Sequence, residues 1–423
     1  MIFVGAAIVI LTFVAIIKKF ETRVCLLTGG FLMCIIAGKL TAGIKAFATT
    51  MTNPLAATIC SIMGFAYVLK YTKCDQHLVV AMTNCIGKFP TLLIPGAVLV
   101  TFLINIPLAS AAGCAAAVGA ILIPVLIKNK IHPAMAAATV IAGTWGAVLK
   151  PGNAHLAFIE KIGLEAGATN VSMLEILAVR FKPTLILLVF VVIGVTLTAI
   201  LLKENTGYTG SEKFEVKETP EKINYLMAII PVVPLVMYIL AGQQFGVLPR
   251  YLENIPFVML FGAVLAMLVT KSSPQKIAKE FWLGAGSAYG SVMGLIISAS
   301  VFTAGMTATG MTGQLIELMK QSQHIAKIGA AAGNFIIAVV SGSGDAATYA
   351  FNGSVTPFAA DFGLTIPQLG SIAQISGALG RNSSPVASAA IICATIANVN
   401  PVEIMKRNFV VMVLATALLV FIM

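Results

Sequence analysis

An arginine, an asparagine and two serines stand ahead of a proline in Gly377-Ala-Leu-Gly-Arg-Asn-Ser-Ser-Pro385. The flanking stretches, Ile366–Ala378 and Val386–Val399, are apolar, and neither alone would cross a bilayer comfortably. Backbone freed by Pro385 and the two glycines inside hydrocarbon must be buried in protein or line a wet cavity. A guanidinium at that depth is costly and marks a site. Arg381 can grip a carboxylate through two parallel N–H bonds, while Asn382, Ser383 and Ser384 could orient an anion or satisfy the broken backbone. A second break, Lys150-Pro-Gly-Asn153, offers Lys150 and Asn153 for the same work, with His155 just beyond. Lys150 could instead snorkel, and His155 could be a packing residue. Two small-residue tips complete the set: Ser110-Ala-Ala-Gly113, and Ser341-Gly-Ser-Gly-Asp345 with Ser343 at its centre. Helix N-termini at such tips present free N–H groups to an anion. Asp345 is the acid expected at membrane depth, either a proton carrier or an ionised partner of Arg381; with His155 it is a coupling candidate.

The elements that position these residues follow from composition. Of 423 residues 58% are hydrophobic and 10% charged, and the mean hydropathy is +0.97. Too few charges are present to coat a soluble globule, so the chain is expected to be an all-α polytopic membrane protein. The net charge of +11 comes from basic residues scattered singly in short connections, which argues against nucleic acid and for topology signals. Seven cysteines form no Cys-x-x-Cys pair and no zinc spacing occurs, so neither disulfide, metal nor cofactor is expected. The N-terminus is apolar from Ile2 to Ile17 before its first basic pair, the pattern of a retained span rather than a cleaved signal.

Spans are expected near 2–17, 24–40 and 54–70. Pro90–Asn105 and Cys114–Ile127 then make a re-entrant hairpin, because each arm falls short of the roughly 20 residues that a crossing needs. A helix from Pro133 to Leu149 breaks and resumes at Ala154–Gly163, and Ser172–Lys203 follows with Glu175 and Arg180 near the interface. Residues 204–222 are polar and form a linker.

Beyond the linker the pattern restarts. Ser61-Ile-Met-Gly64 recurs as Ser291-Val-Met-Gly294, Ser110-x-x-Gly113 as Ser341-x-x-Gly344, and Glu175-Ile-x4-Phe181 as Glu403-Ile-x4-Phe409. Pro133-x9-Gly143-x2-Gly146-x4-Pro151 likewise recurs as Pro367-x9-Gly377-x2-Gly380-x4-Pro385. Four matches in order point to duplication. Five crossings and one hairpin per copy invert the second copy, giving about ten spans, two hairpins and two broken helices, the plan of secondary carriers. The expected division is 1–203 (scaffold 1–89, transport part 90–203), a cytoplasmic linker 204–222, and 223–423 (scaffold 223–324, transport part 325–423). With both termini periplasmic, inside connections hold 17 of the 27 Lys and Arg and outside ones eight. Lys150 and Arg381 are the two left over.

Gly342-Ser-Gly-Asp345 also matches the Gly-x-Gly-Asp string of intramembrane aspartyl proteases. Those need a second aspartate after a tyrosine; no Tyr-Asp occurs, and Asp75 and Asp361 fall near opposite faces. A passive channel would not need duplicated breaks. A transporter is expected, not an enzyme.

The Ser341–Asp345 tip and Leu379-Gly-Arg-Asn-Ser-Ser-Pro385 together resemble the C-type anaerobic C4-dicarboxylate carriers (Dcu type C) of the ion transporter superfamily, over nearly the whole chain. The resemblance implies a multi-pass protein of the bacterial inner membrane and a homodimer with an elevator-like transport domain. It also implies exchange or proton-coupled movement of fumarate, succinate, malate or aspartate. It places substrate on Ser110, Asn153, Ser341, Arg381, Asn382 and Ser383; the residue reading adds Gly113, Lys150, Ser343 and Ser384. Sodium-coupled relatives carry Ser-Asn-Thr at the tips, whereas this chain has Ser110-Ala-Ala and Ser341-Gly-Ser, which weighs toward protons over sodium. A sodium/proton antiporter or other organic-anion carrier on the same scaffold is the alternative.

Overall fold

The computed structural model describes every residue except 19, 84–92, 109, 170, 210–221, 243–245 and 321–322. Most of the expected linker and the boundary at 89/90 therefore lie outside the described residues. Among those described, every regular element is helical. The first half runs α1 (Ile2–Ile17), α2 (Thr22–Ile36), α3 (Leu40–Met51), α4 (Leu55–Thr72), α5 (Cys74–Thr83), α6 (Leu93–Asn105), α7 (Ala111–Lys128), α8 (Pro133–Ala142), α9 (Ala154–Glu165) and α10 (Met173–Leu201). The second runs α11 (Tyr225–Ile229), α12 (Val233–Ala241), α13 (Ile255–Thr270), α14 (Pro274–Ala288), α15 (Gly294–Ala308), α16 (Met311–Lys320), α17 (Gln323–Ile328), α18 (Asn334–Ser341), α19 (Gly344–Ser354), α20 (Ile366–Asn382), α21 (Ser388–Ala397) and α22 (Pro401–Ile422). By length and composition, six helices among the described residues can cross a membrane, with α14 and α15 counting as one and α17 and α18 as another; several shorter ones are as apolar.

Local chemistry sets the boundaries. Ser172 and Glu175 close a capping box at the start of α10, and Thr365 and Gln368 close another at α20. Pro133 and Pro401 occupy the first turns of α8 and α22, where a missing N–H costs nothing. A π-turn at Tyr289–Met293 joins α14 to α15, and Arg23 donates to the Gly290 carbonyl in it at 2.6 Å.

The helices fall into two packing groups. In one, α2 lies on α15 and α4 on α13 and α14; in the other, α7 packs on α8 and α21, α10 on α6 and α22, and α20 on α18, α19 and α22. The ends of the second group are tied at one face. His132 N–H donates to the Glu204 carbonyl (3.0 Å), and Tyr208 N–H to that of Lys130 (2.9 Å). Arg407 grips the Glu204 carboxylate with two nitrogens.

Four local expectations need correction. The first broken helix stops at Ala142, not Leu149, and 146–149 form a 3-10 turn. The cause is close approach: a Cβ on Gly146 would sit 2.0 Å from the Phe102 carbonyl oxygen, so the chain leaves α8 to lie backbone to backbone on α6. Conversely α20 stays helical through Asn382, so Arg381 belongs to its last turn and the unwound stretch is shorter than expected. Arg180 lies deep inside, with no exposed surface, and not near the interface. The span expected at 24–40 ends at Ile36, the chain turns at Gly38 (φ 66°), and Leu40–Met51 form the separate helix α3.

Candidate functional site

One cavity of about 380 Å³ lies between the two packing groups, walled on one side by Ile59, Ile62 and Met63 of α4 and Val292 of the π-turn. Its other walls are the first turns of four helices: Ser110–Ala112 at α7, Asn153–His155 at α9, Ser343–Asp345 at α19, and Ser388 with Ala389 at α21. The first four N–H groups of a helix have no intrahelical acceptor, and each end carries partial positive charge. Ser110 caps only the Gly113 N–H (3.2 Å), while α19 and α21 have no side-chain cap. The enclosure is therefore lined by donors and favours an anion.

Two cations join them. Arg381 donates from Nη2 to the Thr144 carbonyl (2.7 Å), which holds the guanidinium across the first break. Its Nε is buried and unpartnered. Lys150, 4% exposed, does not snorkel: its Nζ donates to the Pro107 carbonyl at the first tip (3.2 Å) and it still lines the cavity. Asp345 shows 58% of its side chain to the cavity and meets Nε2 of His155 at 3.0 Å. His155 is stacked on Tyr349, ring centroids 4.2 Å apart and planes 15° from parallel. The pair thus joins the first break to the second tip, and no ion pair links Asp345 to Arg381.

Ser110, Lys150, Asn153, Ser343, Arg381, Asp345 and His155 are thus brought together around the cavity. Asn153 nonetheless spends its amide on the broken backbone, accepting from His155 N–H (2.9 Å) and donating to the Ala147 carbonyl (2.6 Å). Gly113, Ser341, Asn382, Ser383 and Ser384 are not in the lining. Asn382 accepts from the Thr144 hydroxyl (3.1 Å) and donates to the Ile141 carbonyl (2.9 Å), tying the two breaks together. Ser383 turns back to the Leu379 carbonyl, Ser384 accepts from Val386 N–H, and Ser341 bonds the Ile337 carbonyl. The physical reason is that α20 and α18 carry on far enough for these hydroxyls to find carbonyls four residues back or a neighbouring N–H.

Sequence reasoning missed Arg180. Its guanidinium donates to Ser371 Oγ (3.1 and 2.8 Å), to the Val148 carbonyl (3.2 Å) and to Gln374 Oε1, and Gln374 lines the cavity. A signal was available: the repeat aligns Arg180 with Asn408, a second polar residue in an apolar helix, which donates to the Ala138 carbonyl (3.0 Å). Each reaches from the last helix of its half to the broken helix of the other.

A family model described as the DctM component of the tripartite ATP-independent periplasmic transporters matches residues 3–423. The chain belongs to that family. It is accordingly a membrane transporter of the inner membrane and not an enzyme, which removes the aspartyl protease alternative. The resemblance to the type C carriers also holds along the chain. The anaerobic C4-dicarboxylate transporter DcuC of Escherichia coli K12 is 24% identical over 459 residues, covering 99% of this chain and 96% of that one. A probable DcuC of Vibrio cholerae is 25% identical, covering 93% and 91%. A transporter of Haemophilus influenzae is 36% identical over 285 residues, 65% of this chain and all of that one. Among solved structures, the Alcanivorax borkumensis YdaH transporter superposes with a TM-score of 0.60 at 11% identity, covering 89% of this chain and 86% of that one. That likeness concerns the fold, and agrees with an all-α polytopic architecture.

Proposed function

We propose that this member of the DctM family is a secondary carrier of C4-dicarboxylates such as fumarate, succinate, malate or aspartate. The observation that carries the reading is the convergence of four helix N-termini with Arg381 and Lys150 on one small cavity. Its volume is at the low end of ligand cavities, roughly 300–1,000 Å³, which suits a small solute. Ser110, Ser343 and Arg381 are the proposed substrate contacts, with Lys150 as second cation; Asn153, Asn382, Ser383 and Ser384 hold the breaks in shape.

Charge balance supports proton coupling. Lys150 and Arg381 against the Asp345 carboxylate fall one positive charge short of cancelling a dianion, and one proton carried into the lining with the substrate would supply it. A neutral loaded site crosses a low-dielectric barrier at least cost. The cavity's place between the two packing groups supports an elevator-like mechanism. In it, 90–203 and 325–423 move against a fixed scaffold of 1–89 and 223–324, the halves are inverted repeats, both termini are periplasmic, and the scaffold pairs in a homodimer. The test is uptake of labelled succinate and fumarate into proteoliposomes: Arg381→Ala is expected to abolish it while the protein remains monodisperse. Uptake at the unmodified rate by that variant would refute the assigned site.

A further inference from the structure

Gln374 differs from the other amides near the breaks. Asn153 and Asn382 spend both ends on the protein, whereas Gln374 spends one: its Oε1 accepts from Arg180 Nη1, and its Nε2 meets no acceptor among the described residues. Unlike the Trp145 indole nitrogen, which is sealed in the wall, that Nε2 keeps open surface, and Gln374, 5% exposed, lines the cavity. A donor with an open face on a ligand cavity invites an acceptor there.

Arg180 fixes the direction of that amide. Its guanidinium has no exposed surface and is itself held by the Ser371 hydroxyl (3.1 and 2.8 Å) and the Val148 carbonyl (3.2 Å). A guanidinium has donors only, so the amide oxygen must face it and the –NH2 must turn away from it. Donation from a cation also polarises the amide and strengthens its N–H groups as donors. On α20, Gln374, Ala378 and Arg381 line the cavity at spacings of four and three, one face of the helix. Seven residues set the Gln374 and Arg381 Cα atoms about 10.5 Å apart along the axis. An extended C4-dicarboxylate, about 6 Å between its outermost oxygens with a hydrogen bond of about 2.9 Å at each end, covers a similar length.

Resting on the dicarboxylate reading, we propose that Gln374 is a substrate contact whose amide N–H donates to the carboxylate that Arg381 does not hold, and that Arg180 is the residue that positions it. An uncharged donor at that end of the solute selects an acceptor there, a carboxylate or another carbonyl oxygen. A group that can only donate leaves it unpaired, and sites built to bond a substrate atom discriminate strongly against an analogue that cannot answer.

Gln374→Glu keeps an acceptor for Arg180 and reverses the polarity that faces the cavity. Succinamate and monomethyl succinate are monoanions of similar size; the first has an amide N–H to donate and the second has none. The added charge by itself acts equally on both, so their ratio isolates the contact. The measurement is the ligand concentration that half-saturates the rise in Tm of the purified, detergent-solubilised full chain. The two ligands should stabilise the unmodified protein within about threefold of each other, and succinamate should act on Gln374→Glu at about tenfold or more lower concentration than the ester. Arg180→Met frees the amide to turn its oxygen toward the cavity and should move the ratio about threefold in the same direction, which loss of a merely structural arginine would not do. A Gln374→Glu protein that succinamate stabilises no better than the ester overturns the contact, and a ratio unmoved by Arg180→Met overturns the positioning; both leave the carrier reading intact where the unmodified protein takes up succinate. Failure of the unmodified protein to take up any C4-dicarboxylate refutes the carrier reading, and the role of Gln374 with it.

Discussion

Replacing His155 by asparagine tests the coupling proposal most directly. The substitution removes the ring nitrogen 3.0 Å from Asp345 and leaves a side chain that does not titrate. A hydrogen bond to a charged group contributes about 1.5–3 kcal/mol. Asp345 shows 58% of its side chain to the cavity, so screening brings the loss to or just below the bottom of that range, about 1–1.5 kcal/mol. That corresponds to roughly five- to tenfold in an equilibrium constant. The assay is initial uptake of labelled succinate into proteoliposomes with and without an acid-outside pH gradient. The unmodified carrier should be stimulated by the gradient and His155→Asn stimulated about five- to tenfold less. Asp345→Asn should match it, and the double variant should be no worse than either, because two residues that share one proton do not add. A His155→Asn carrier with unaltered stimulation, or a double variant showing the product of both losses, would refute the pair as the proton site.

Arg180→Met should leave the Val148 carbonyl and Gln374 without their donor. Each costs roughly 1–3 kcal/mol, offset in part by no longer burying a charge, so a net loss near 2 kcal/mol is expected as a lower midpoint in denaturant and a raised KM for succinate. Arg180→Lys should recover about half of the effect, since a point charge cannot reproduce the fork. Gly344→Ala puts a Cβ 2.5 Å from the Gly377 carbonyl oxygen and should abolish uptake by parting α19 from α20, whereas Gly290→Ala meets nothing within 4 Å and should transport normally. A C-terminal alkaline phosphatase fusion should be active and a C-terminal green fluorescent protein fusion dark if the termini are periplasmic.

The sequence by itself determined the membrane setting, the two tips and the two breaks. Those rest on composition and on Pro and Gly punctuation, which act within a few residues of chain; arm length does not carry the first hairpin, because α7 at 18 residues is itself long and apolar enough to cross. It also singled out Arg381, Lys150, Asp345 and His155, all of which line the cavity. Tertiary structure decided which polar groups face the cavity. Asn382, Ser383 and Ser384 look like ligands in a row, yet packing ties Asn382 to the Ile141 carbonyl of the other half, while Ser383 bonds the Leu379 carbonyl one turn back and Ser384 accepts from the Val386 N–H. Trp145, Asn105 and Arg180 gave the weakest local signals; the first two reach the cavity wall because Gly146 lets the first break lie against α6, and Arg180 reaches the lining residue Gln374 because α10 crosses α20. Contacts of that kind join residues between about 30 and 200 positions apart, and no local propensity records them.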